Sequence, residues 1–171
     1  MLSLTSAIAR LSANAEAFAA LTRSVSDEQA RWKPSAEEWS VLEVVCHLHD
    51  EEREDFRQRV DLTLHSPATD WPPIDPMGWV TARGYNQREL APMLDSFLSE
   101  RRKSVEWLSG LKEPDWSMAR RHPVAGTMTA GDVLGAWVAH DHLHIRQLNH
   151  LHWQYLAAQV DPVSTDYAGG W

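Results

Sequence analysis

The chain carries a single cysteine, Cys46, among 171 residues. One thiol closes no internal disulfide, which suits a reducing compartment, and it removes cysteine-based zinc sites from consideration. Any metal must be held by histidine and carboxylate. Long apolar runs are also missing: the longest extend over a few residues, against the ~20 that a bilayer-spanning helix needs. Met1 leads into an amphipathic stretch instead of a signal peptide, so the expected address is the cytoplasm, with no membrane partner. Positive charge is in deficit. The net charge is −8, with Lys and Arg scattered instead of gathered in a stripe, the wrong pattern for gripping a phosphate backbone. Nucleic acid is not an expected partner. No run alternates well enough to predict a sheet, and there is no internal repeat or low-complexity tract.

What is present is a foldable composition, 43% hydrophobic and 23% charged, in a length that predicts one domain over residues 1–171. From Ser3 to about Ser24, Leu4, Ile8, Leu11, Ala15, Phe18 and Leu21 recur at three- and four-residue intervals, one face of a helix. Ser26-Asp27-Glu28 opens a short helical turn ending near Trp32-Lys33-Pro34, because proline turns the preceding residue away from helix. Ser40 followed by Glu43 is a capping box, and predicts a long helix from Val41 to about Leu64. Pro67, Pro72, Pro73, Pro76, Gly78 and Gly84 make 65–85 a long crossover without a helix. Pro92 suits the first turn of a third helix that stops at Gly110. After a second connection over 111–128, Thr129 with Asp132 caps a fourth helix running to about Ala158, and the tail past Pro162 reads as irregular. The expected fold is therefore all-α, a four-helix bundle with a long crossover between helices 2 and 3.

Nine tryptophans and nine histidines stand out, and five of the histidines lie between His140 and His152. At ~100° per residue, Val133, Trp137, His140, His144, Leu148 and Leu151 share one side of the fourth helix, while His142 faces away. His140 and His144 are thus placed in the middle of the buried face, one turn apart, with Cβ atoms ~6 Å from each other. Two buried imidazoles without partners would cost about 1–3 kcal/mol each, whereas a divalent ion takes both as neutral ligands. His150 and His152 fall off that face and are read as surface residues. A third ligand should come from the second helix, where periodicity leaves His47 and His49 both open.

Trp39-Ser40-Val41 with Glu43, His47-Leu48, Asp50 and Glu52-Arg53 resembles the second-helix motif of the DinB-like (DinB/YfiT) superfamily. His140-Asp141-x-x-His144-x-x-Gln147 is similar to its last-helix motif, and His122-Pro123-x-x-Gly126-x-Met128-Thr129 to its approach to that helix. The resemblance spans nearly the whole chain. It implies a four-helix bundle, zinc or nickel held by His47, His140 and His144, and a homodimer. It further implies, for some members, transfer of a low-molecular-weight thiol to an electrophilic small molecule.

Three neutral nitrogen ligands with an open position are the composition of a catalytic site more than a structural one. The expectation is a metal-dependent thiol transferase or hydrolase; the alternative is a non-catalytic stress protein braced by its metal. Trp32, Trp39, Trp107 and Trp137 are read as core packing, while Trp71 and Trp79 are candidates to fold over a site from the crossover. Glu51 is read as a solvated charge in the run Asp50-Glu51-Glu52, with a proton-accepting role as the alternative. Asp141 is either a flank residue or reaches a neighbouring helix, and no catalytic base is assigned.

Overall fold

The Ser3 hydroxyl accepts the Ser6 backbone N–H at 3.1 Å and so starts α1, Leu4–Thr22, which buries Ala7, Leu11, Ala15 and Phe18 along one stripe. In the computed structural model, which describes residues 2–122 and 126–169, Ser26 caps a short α2, Asp27–Arg31. The Ser40–Glu43 capping box forms in both directions, at 3.1 and 2.8 Å, and opens α3, Val41–Glu51. A π-helical turn, Glu52–Phe56, carries the chain without a break into α4, Arg57–His65. This turn departs from the straight helix expected from the sequence: it adds one residue and rotates everything downstream by ~100°.

The crossover also differs, because it contains a helix, α5, Pro76–Ala82. Pro76 occupies the first helical position, where a missing N–H costs nothing, and Asp75 accepts the Gly78 N–H at 3.0 Å. Gly84 then takes φ 58°, a left-handed turn that any side chain would strain, before the 3-10 turn Tyr85–Gln87. The third long helix, α6, spans Leu90–Gly110. Beyond it the expectation of no sheet fails: β1, Ala119–His122, pairs antiparallel with β2, Gly126–Thr129, Ala119 opposite Thr129. Four residues per strand are too few for alternation to register. Pro123 of the approach motif lies outside the described residues, as does the side chain of His122. The Thr129–Asp132 capping box starts α7, Ala130–Val160, and the tail holds one 3-10 turn, Asp166–Ala168.

These elements make a four-helix bundle in which α1 packs on α6 and α7, and the continuous α3–α4 helix packs on the same two. One apolar cluster, with Phe18, Leu42, Val45, Phe97 and Leu148, fills one end of the bundle; another, with Leu11, Phe56, Val60, Leu108 and Trp137, fills the other. Between them every long helix contributes a polar residue to one buried layer. Arg101 donates to Glu52 at 2.8 Å, to Asp141 at 2.7 and 2.8 Å and to the Leu11 carbonyl at 3.0 Å. Asn14 also donates to Asp141, and the Trp137 indole N–H to Glu52. Asp141 thus reaches across to neighbouring helices, the second of the two roles left open for it. No helix of the described residues is long and apolar enough to cross a membrane.

Candidate metal centre

The polar layer fixes the rotation of α7, and with it the direction of the residues beside Asp141. The middle of the buried face of α7 is taken by Leu134, Trp137, Val138, Asp141 and Leu148. His140 and His144 therefore sit on its flank, half-buried, instead of at its centre as the helical wheel predicts. That flank faces α3, where His47 is 4% exposed. His140 Nε2 lies 3.2 Å from His47 Nε2 and 3.1 Å from His144 Nε2.

Burial, reinforced by His144, pushes the His47 imidazole down to about 3. His140 falls to about 2 through burial and the neighbouring His144, His47 and Arg101, and His144 is lowered chiefly by burial. All three rings are uncharged at neutral pH and present lone pairs instead of repelling charges. The Nδ1–H of His144 donates to Gln147 Oε1 at 2.8 Å, which leaves its Nε2 unprotonated. Hydrogen bonding alone satisfies this group poorly, since His140 Nε2 faces two nitrogens at once and His47 Nδ1 is buried without a partner. Nitrogens ~2.1 Å from a common zinc ion stand ~3.4 Å apart at tetrahedral angles, close to the spacings here. Three histidine nitrogens within 4.8 Å of one another fit a divalent ion.

The walls come from aromatic rings. Trp39 packs 4.8 Å from His47 and stacks parallel to His144 at 6.4 Å, while Phe56 lies 4.9 Å from His140, ring centroid to centroid. Trp39, read as core, is thus a wall of the site. The crossover tryptophans do other work: Trp79 packs on the Arg83 guanidinium at 3.9 Å, and Trp71 lies between Arg59 and Arg120. Trp137 is buried as expected, and Trp32 and Trp107 are half-buried.

His49 points elsewhere, its Nδ1–H donating to Asp50 Oδ1 at 3.1 Å. His142 is exposed. The surface reading of His150 and His152 is corrected, for both are half-buried. His152 ties α7 to the start of the chain, accepting from Gln29 at 2.8 Å and donating to the Leu21 carbonyl at 2.7 Å.

The acidic run is the largest correction: Asp50, Glu51 and Glu52 are all buried. Burial alone would raise Asp50, but hydrogen bonds from His49, Tyr85 and Arg83 outweigh it and hold the carboxyl at about 2. Glu51 goes the other way. Burial and a hydrogen bond with Asp55 push it up to about 9, and its Oε1 has no partner. It keeps a proton at neutral pH, one turn beyond His47.

A stability measurement reads this directly. In the native chain Glu51 holds a proton up to about 9, whereas its ordinary value is 4.5. The stabilisation is complete below the ordinary value and is lost as pH rises through the native one. Between these limits wild-type stability should fall with a slope of up to about 1.4 kcal/mol per pH unit. Glu51→Gln should flatten that limb in urea titrations at pH 6 and 8.5. Equal slopes in both proteins would show that Glu51 is ionised like any surface carboxylate.

The bundle belongs to a known class: the chain is a member of the DinB superfamily, whose model matches residues 10–148. Among solved structures it is similar to YfiT from Bacillus subtilis, described as a probable metal-dependent hydrolase with an unusual four-helix bundle topology. The TM-score is 0.78 at 20% identity, over 89% of this chain and 87% of that one, a likeness of fold. No curated protein matches the chain.

Proposed function

We propose that the chain is a metal-dependent hydrolase of small molecules, with one divalent ion held by His47, His140 and His144. The observation that carries this is three uncharged imidazole nitrogens facing one another at 3.1 and 3.2 Å on the flank of α7, beside an open cavity. Imidazole donors suit zinc or nickel. A bound ion supplies Lewis acidity and lowers the pKa of a water or thiol beside it.

The chain's own groups do the rest. Gln147 fixes the His144 tautomer, Trp39 keeps water off one side of the cluster, and the buried Glu51 carboxyl stores a proton one turn beyond His47. Transfer of a low-molecular-weight thiol to an electrophile is the second reading. The only thiol of the chain, Cys46, is buried and pushed up to about 12, chiefly by burial, so a thiol nucleophile would enter from outside.

The test loads the protein with zinc or nickel and assays esters, amides and thiol–electrophile pairs. Turnover that needs the metal and is lost in His140→Ala supports the proposal. Rates that are the same in His140→Ala count against it, and a loaded protein inert across the whole panel favours an ion that only braces the bundle.

A further inference from the structure

His47 and Glu51 each bury one polar atom that nothing meets. Nδ1 of His47 and Oε1 of Glu51 have no hydrogen-bond partner, and both residues are 4% exposed. They lie one turn apart on α3, a spacing that puts their Cβ atoms about 6 Å apart on one face. The two atoms are complementary. His47 turns Nε2 to the triad, 3.2 Å from His140 Nε2, so a ring that gives Nε2 to a metal ion carries its proton on Nδ1 and needs an acceptor there. Glu51 shares a hydrogen bond with Asp55, which occupies its other oxygen and the proton between the two carboxyls, and Oε1 is left as an acceptor. Asp55 is in turn ion-paired with Arg59, so Glu51 is itself held from the next turns of the helix. Solvent is a poor substitute for it, because His47 is closed off and Trp39 packs on its ring at 4.8 Å.

We infer that Glu51 is the positioning residue of His47: with the ion in place, His47 Nδ1–H donates to Glu51 Oε1, much as His144 Nδ1–H donates to Gln147. The bond closes by side-chain rotation within one turn of α3. It orients the imidazole on the ion and raises its basicity. This role rests on the reading of the triad as a metal centre.

Zinc dissociation constants of the full chain, measured by competition with a chromophoric chelator, read the role in wild type, Glu51→Gln, Glu51→Met and His140→Ala, with circular dichroism on the same samples. Glu51→Gln keeps an acceptor for His47 and a donor for Asp55 and should stay within about threefold of wild type, whereas Glu51→Met should weaken zinc binding about 10- to 100-fold. Equal weakening in both variants would trace the effect to lost charge instead of a lost acceptor and overturns the inference, as does Glu51→Met holding zinc as tightly as wild type. Should Glu51→Met fail to fold, NMR of zinc-loaded wild type decides. A slowly exchanging His47 Nδ1–H close to the Glu51 side chain supports the bond; rapid exchange with water, or contact with another acceptor, overturns it. A wild type that binds no zinc, or binds it equally in His140→Ala, overturns the metal reading itself. Zinc that needs His140 but is indifferent to Glu51 leaves that reading standing and removes this one.

Discussion

Arg101→Met is expected to lower the unfolding free energy by about 3–5 kcal/mol, the range for breaking a buried ion pair from one side. Arg101 is 2% exposed, and its partners Glu52 and Asp141 are 1% and 0% exposed. Removing the guanidinium strands two carboxylates in the middle of the bundle, where neither water nor another cation reaches them. The damage comes from the charges left behind, so replacing all three residues should hurt less than replacing one. The triple variant Glu52→Leu, Arg101→Met, Asp141→Leu is expected to recover part of the loss, limited by the Trp137 and Asn14 donors that then lack acceptors. Urea denaturation of the three proteins checks both statements. A loss under about 1 kcal/mol in the single variant would mean that the layer is hydrated and contributes little.

Removing the metal should have the next largest effect. A ligand that binds only the native state stabilises it by about 4 kcal/mol when present at a thousandfold its dissociation constant. For a chain of this length that is a rise in Tm on the order of 10 °C. Calorimetry with added zinc should show this rise in the wild type, reversal by a chelator, and no response in His140→Ala. A rise of the same size in the variant would place the zinc elsewhere.

The sequence and the structure agree where one signal decides the outcome. Ser40 with Glu43 and Thr129 with Asp132 mark helix starts to the residue, because a capping box needs only neighbours three positions apart. The pairing of His140 with His144 is legible for the same reason. What the helical wheel misplaces is their depth: it weighs hydrophobicity, and the true centre of the α7 face is held by a charged residue, Asp141.

The same blindness hides the acidic run. Glu52 lies in phase with Val45 and Leu48, and Arg101 with Leu94, Phe97 and Leu108. Opposite charges on the inward faces of two helices were therefore the available sign of a buried pair. The π-helical turn at Glu52–Phe56 had no such sign, since an extra residue in a helix leaves no mark in residue types. Nor did the role of Trp39, which depends on how the segment before α3 folds against His144. His47 and His49 differ by two positions on one helix: periodicity leaves both open, the motif resemblance implies His47, and the placement of α7 brings His140 to His47 while His49 turns to Asp50.

That separation is the centre of the account, and elemental analysis after equilibration with zinc tests it most directly, on wild type, His47→Ala and His49→Ala. The account predicts about one zinc ion per chain in wild type and His49→Ala and almost none in His47→Ala, because two imidazoles hold the ion poorly. Zinc retained by His47→Ala and lost from His49→Ala would contradict it.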